Sequence, residues 1–182
     1  DAVAECVPAA ATWIGWSLGG QVALHAALRR PAKVARLVLV GTTPRFVQTP
    51  DWAHAMPADT FAGFARDLAA DYRGTLRRFL SLHVNGDEHA RVLLKRLRAE
   101  LFVHGEPARA ALHDGLAMLE HTDLRASLSG IAVPALVVHG RLDRLAPPAA
   151  GRYLAAHLPL AQWSEFEHSG HAPFLSQPLR FE

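Results

Sequence analysis

A single cysteine, Cys6, leaves the chain no internal disulfide and fits a reducing compartment. No apolar run approaches the length of a membrane span, and nothing in the first residues reads as a signal peptide. There are no internal repeats and no low-complexity tracts. Charge of one sign is scarce as well. Lys and Arg total 19 against 17 Asp and Glu, and the net charge of +2 is too small for a nucleic-acid footprint. No H-E-x-x-H motif occurs, and the close pair His168 and His171 has no cysteine or carboxylate at ligand spacing, so no metal is expected. What remains is 182 residues, half of them hydrophobic, which suits one domain with a sizeable core.

The stretch Gly15-Trp16-Ser17-Leu18-Gly19-Gly20 fits G-x-S-x-G. An apolar run, Ala11 to Ile14, leads in, and a helical stretch, Gln21 to Leu28, leads out. Strand, sharp turn and helix are the context that this nucleophile elbow of α/β-hydrolases requires. The turn strains the serine backbone, and small neighbours at Gly15 and Gly19 are expected to let strand and helix pass closely. Ser17 then stands at the carboxyl end of a strand, with the Leu18 amide aimed at an oxyanion.

A serine nucleophile needs a base, and the base needs a group to fix its tautomer. In this fold the order is Ser, acid, His. Val133 to Gly140 reads as a short buried strand, and Asp143 falls in the loop behind it. Ala161 to Phe166 reads as another strand, followed by His168-Ser169-Gly170-His171-Ala172-Pro173-Phe174. Ser17, Asp143 and His171 would converge from three strand ends. The plainer readings are that Asp143 caps a helix starting near Pro147 and that His171 is an ordinary loop histidine, with His168 a rival for the base.

Val34 to Val40 reads as the strand after the elbow helix, which Pro31 ends. From about residue 50 to 126 strand signals vanish. Phe61, Phe64, Leu68 and Tyr72 form a helical stripe that Leu76, Phe79, Leu80 and His83 continue. A third helix is expected from about Asp87 to Val103, with Leu93, Leu94, Leu97 and Leu101 on one side, and a fourth from Glu106 to Leu119. After Ile131 the β/α alternation returns, which argues a mostly parallel sheet. The expectation is an α/β-hydrolase fold, with a core of residues 1–49 and 127–182 and a helical lid of residues 50–126. Asp1 to Val7 reads as a helix tail, and the strands expected before the elbow are missing. The chain therefore reads as truncated at both ends.

The elbow, Arg78-Phe79-Leu80-Ser81-Leu82, Gly115-Leu116 before Thr122-Asp123-Leu124-Arg125, and His171-Ala172-Pro173-Phe174 resemble the BioH family, the pimeloyl-[acyl-carrier protein] methyl ester esterases of biotin synthesis. The resemblance spans essentially the whole chain. It implies a cytoplasmic, cofactor-free serine esterase, acting as a monomer through an acyl-enzyme. Ser17 would attack, His171 serve as base and then acid, Asp143 orient it, and Leu18 supply one oxyanion amide. Substrate would be bound by Ser17, Leu18, His171 and the lid residues Phe79, Leu80, Ser81, Leu82 and His83, with Phe79 against the acyl chain. The acidic carrier protein would meet Arg78, Arg91 and Lys95. A further family arginine falls on Gly74, with Arg73 beside it. The family's upstream His-Gly-Trp-Gly segment, with the second oxyanion donor, has no counterpart here.

Read on its own, the row Arg91, Lys95, Arg98 at i, i+4, i+7 suits either an acidic partner or a solvated helix face with Asp87 and Glu88 nearby. Phe79 suits a core position as well as a substrate wall. A general carboxylesterase or a carbon–carbon bond hydrolase would share the triad. A non-catalytic binding protein of this fold would usually have lost Ser or His, and both are present. An aspartate at position 17 would mark a dehalogenase or epoxide hydrolase.

Overall fold

Three of the four strands form where the sequence is most continuously apolar; the fourth, with Gln162, Ser164 and Glu165, is only partly buried. Strands β1 (Ala11–Trp16), β2 (Val34–Val40), β3 (Ala135–Gly140) and β4 (Ala161–Phe166) pair in that order, all parallel. The computed structural model describes residues 2–7, 9–84, 89–103 and 105–182. A short helix α1 (Ala2–Glu5) precedes β1, and α2 (Leu18–Arg29) follows the elbow. Asp1 of the expected N-terminal helix tail lies outside the described residues. Helix α2 stops ahead of Pro31, which disfavours helical geometry in the residue before it.

Alternation along the strands sends side chains to two different covers. Leu37, Leu39, Ala135 and Val137 pack under Ala23, Leu24 and Ala27 of α2 and Leu154 of α7 (Pro148–His157). Val40, Val138 and Phe166 face the other way. They meet Phe174 and Phe181 of the short helices α8 (Pro173–Ser176) and α9 (Pro178–Phe181).

Only helices and irregular segments lie between β2 and β3 among the described residues: α3 (Ala58–Ala70), α4 (Tyr72–His83), α5 (Ala90–Glu100) and α6 (Arg109–His121). The expected stripe from Phe61 to His83 is broken. Asp71 accepts the Gly74 amide at 2.9 Å and caps α4, so Tyr72 opens a second helix instead of closing the first. Helix α5 is shorter than expected at both ends; Asp87 and Glu88 lie outside the described residues. Helix α6 begins at Arg109, after Glu106, whose carboxylate engages Tyr72 and Arg73.

The two ends of this insertion are tied together. Leu124 N–H donates to Pro44 O at 3.0 Å, Arg45 meets Asp123 at 3.1 Å, and Arg125 bridges Asp123 and Asp51 at 2.7 and 3.0 Å. A second apolar cluster, Phe46, Val47, Met56, Phe61 and Leu145 with Phe79, Leu116 and Leu119, joins the insertion to the loop after β3.

Candidate active site

The carboxyl ends of the strands are laced to one another. Ser17 N–H donates to Val40 O, Gly41 N–H to Val138 O and Arg141 N–H to Phe166 O, each at 2.9 Å. The loops carrying Ser17, Asp143 and His171 therefore leave one edge of one rigid sheet.

Ser17 is the one non-glycine residue with positive φ among those described, at φ 54° and ψ −119°. An L-residue holds such angles only where its surroundings impose them. A Cβ on Gly15 would stand 2.5 Å from Gly19 O and from Gly20 Cα, and one on Gly20 would stand 1.9 Å from Thr42 Oγ1. Gly19 corrects the sequence reading: a Cβ there would meet nothing within 4 Å. Close passage of strand and helix depends on Gly15 and Gly20, because helix geometry turns position 19 away from the sheet. The Leu18 amide is in the first turn of α2, where amides have no intrahelical partner and the helix dipole favours negative charge.

Asp143 and His171 form a buried pair, 4% and 1% exposed, with His171 Nδ1 2.7 Å from Asp143 Oδ2. His168 is exposed, and it is His171 that packs on Asp143. Asp143 does not cap α7, whose flanking residue is Pro147. Its Oδ1 accepts the Leu145 and Ala146 amides at 2.9 and 3.0 Å. Burial alone would push this carboxyl up. The charge of His171 and hydrogen bonds from His139 and His171 outweigh burial and hold it well below the usual carboxylate range. With its acceptor oxygen fixed on Nδ1–H, the imidazole presents Nε2 as the basic nitrogen.

The loop bearing His171 is packed from several sides. A Cβ on Gly140 would stand 1.9 Å from Gly170 O, which locks the ends of β3 and β4 together. Leu142 N–H donates to Ser169 O at 3.0 Å, and Gln177 donates to Ser169 Oγ at 2.9 Å. Gly41, at φ +53°, leaves room for the imidazole: a Cβ there would stand 3.0 Å from His171 Nδ1. Trp16, next to Ser17, donates from its indole to His171 O at 2.8 Å and packs its ring 5.6 Å from the imidazole. Serine and histidine loops are thus joined through Trp16.

The insertion reaches the same place. His171 N–H donates to His83 O at 2.9 Å, and the His83 ring stands 5.2 Å from His171 and 5.4 Å from Trp16. Burial, then the neighbouring His171, pushes the His83 pKa down to about 4. Of the five lid residues named from the sequence, Phe79 and His83 pack together at 4.8 Å on this side. Leu80 is buried. Ser81 and Leu82 line a groove between α3 and α4 with Asp59, Gly63 and Arg78, and Phe79 borders this groove as well. A cleft of about 740 Å³, lined by Leu68, Leu112 and Leu116, opens between α3 and α6 and includes none of Ser17, Asp143 or His171.

Arg91 and Lys95 are exposed on α5. Arg78 is exposed on α4, 3.8 Å from Asp71 and 2.8 Å from Thr75 Oγ1. Arg73 is engaged by Glu106. No helix is long and apolar enough to cross a membrane, and no cluster of three metal-ligating side chains occurs, among the described residues. The supporting roles of Trp16, Gly20, Gly41 and His139 were not legible from the sequence; the signal available was their adjacency to Ser17, to β2 and to Asp143.

The α/β-hydrolase fold family matches residues 8–178. The chain is 50% identical over 174 residues to a pimeloyl-[acyl-carrier protein] methyl ester esterase of Xanthomonas campestris pv. campestris, covering 96% of this chain and 68% of that protein. It is 43% identical over 181 residues to one of Nitrosomonas europaea, covering all of this chain and 72% of that protein. Among solved structures, an esterase from Exiguobacterium antarcticum superposes with a TM-score of 0.85 at 24% identity, over 99% of this chain and 66% of that one. The strained serine, the buried acid–histidine pair and these matches agree: the chain belongs to the α/β-hydrolase family and, within it, to the family of the pimeloyl-[acyl-carrier protein] methyl ester esterases.

Proposed function

We propose that the protein is a cytoplasmic serine esterase that hydrolyses the methyl ester of pimeloyl-acyl-carrier protein, with Ser17, His171 and Asp143 as its triad. The observation that carries this reading is the meeting of the strained Ser17 turn and the buried Asp143–His171 pair at one sheet edge, bridged by Trp16. The substrate class is taken from relatives up to 50% identical.

In this reading Ser17 Oγ attacks the ester carbonyl as His171 Nε2 takes its proton. Asp143 holds the imidazolium through Nδ1–H, and the Leu18 amide, at the head of α2, stabilises the oxyanion. Collapse of the adduct passes the proton from Nε2 to the methoxy oxygen, and methanol leaves. Water, deprotonated by His171, attacks the acyl-serine, and the proton returns to Ser17 Oγ. The products are methanol and a free carboxylate at the far end of the acyl chain; the thioester to the carrier is untouched.

Residues 50–126 act as the lid, with Phe79 and His83 forming its wall beside the base. Arg78, Arg91 and Lys95 attract the acidic carrier. Exposed contacts of this kind contribute roughly 1 kcal/mol or less each and weaken with salt.

The test compares carrier-bound pimeloyl methyl ester, free pimelate methyl ester and p-nitrophenyl butyrate. The carrier-bound substrate should have the highest kcat/KM. Reversing Arg78, Arg91 and Lys95 together to Glu should raise its KM severalfold and leave p-nitrophenyl butyrate turnover unchanged. Equal kcat/KM on all three esters would make the protein a general carboxylesterase. Parallel loss on every substrate would indicate a misfolded lid.

A further inference from the structure

Asp143 is faced by two histidines. The second, His139, lies next to the end of β3 and is fully buried. Its Nε2 is 2.7 Å from Ala146 O and 3.3 Å from Asp143 Oδ2. Both neighbours are acceptors, so Nε2 carries the proton. Among the described residues its buried Nδ1 has no partner. A Cβ on Gly151 would stand 2.4 Å from that nitrogen, so the backbone of α7 closes over it. The ring stacks on Trp163 at 5.9 Å and 25°. A buried nitrogen with no partner is a cost that a purely apolar ring would avoid. What offsets it lies at the Nε2 end.

We propose that His139 is a positioning residue for the catalytic acid. Its Nε2–H clamps the Ala146 carbonyl and so holds the turn whose Leu145 and Ala146 amides grip Asp143 Oδ1. The same N–H stands over Oδ2, the oxygen that receives His171 Nδ1–H. The carboxylate is left one free direction, toward His171. This rests on the reading of Ser17, Asp143 and His171 as a triad.

His139→Phe tests it on the purified protein. Phenylalanine keeps an aromatic ring on Trp163 and removes the unpaired nitrogen along with the donor. A packing role alone predicts unchanged or improved stability and wild-type turnover. A positioning role predicts a kcat on p-nitrophenyl butyrate lower by roughly ten- to hundredfold, by analogy with groups that orient metal-ligating histidines, with KM within about twofold. The low-field proton resonance of the His171–Asp143 hydrogen bond should shift or broaden in step. His139→Gln, whose amide can reach toward Ala146 O, should recover much of the lost kcat.

A folded His139→Phe with wild-type kcat and an unmoved resonance overturns the proposal. If His139→Phe does not fold, His139→Gln is compared with His139→Leu at matched thermal stability; equal kcat overturns it. Failure of a fluorophosphonate to label Ser17 in the wild type removes the triad reading itself. Labelling with no effect at His139 removes this inference alone.

Discussion

In the sheet, Leu37, Leu39 and Val137 are shut off from solvent, packed under Leu24 of α2 and Leu154 of α7. In the insertion, α5 buries Leu93 alone and α6 buries none of its residues. The contrast separates two tasks. The sheet holds three loops at fixed relative positions, and loops rooted in a close-packed core cannot drift without straining it. The helices carry the proposed wall and carrier-binding face, which tolerate small shifts. They are anchored at few places: the Arg45–Asp123–Arg125–Asp51 tie at their base, the Phe46–Phe61–Leu145 cluster, and the bond from His171 N–H to His83 O.

The sharpest way to test the division is to remove chemistry without touching either region's packing. Ser17→Ala should lower kcat on p-nitrophenyl butyrate by roughly 10⁴-fold or more, as loss of a triad nucleophile does, with unchanged circular dichroism. Equal fluorophosphonate labelling of this variant would move the nucleophile elsewhere.

Packing is tested next. Leu39→Ala, fully buried near the carboxyl end of β2, should cost about 2–5 kcal/mol in urea unfolding, from lost burial and the cavity left behind. Leu97→Ala, half-buried on α5, should cost under about 1 kcal/mol. Similar losses would mean that the insertion and the sheet share one core.

The smallest effect concerns pH at the point where the two regions touch. His83 is buried with its pKa pushed down to about 4 from 6.5. Between those values the unfolded chain binds a proton that the folded chain does not, so stability rises with pH across that window. Its contribution is full above about pH 6.5 and is lost as pH falls toward 4, by up to about 3 kcal/mol. His83→Gln should flatten this part of the stability profile between pH 7 and pH 4.5. An unchanged slope would show that His83 is not the group being charged.

Much of this was readable from residue order. Val34–Val40 was legible because a buried parallel strand is a nearly continuous apolar and β-branched run between turn signals. The elbow was legible because its glycines and serine stand at fixed spacing. Helix ends in the insertion were not: Asp71 caps α4 through a single hydrogen bond to Gly74, and a stripe continuing through Tyr72 hides it. Gly19 was assigned a steric duty that belongs to Gly20, since the motif counts positions and the structure counts distances.

The sequence by itself determined the strand–turn–helix around Ser17, the order of Ser17, Asp143 and His171, and the helical character of the segment between β2 and β3. These are properties of neighbours along the chain, set by local steric limits and hydrophobic period. The packing of His171 rather than His168 on Asp143, the second histidine on Asp143, the indole bond from Trp16 to His171 and the approach of His83 were decided only by tertiary structure. Each depends on residues far apart in sequence meeting in a buried space, where a hydrogen bond or charge unmatched by a neighbour is costly enough to select one arrangement.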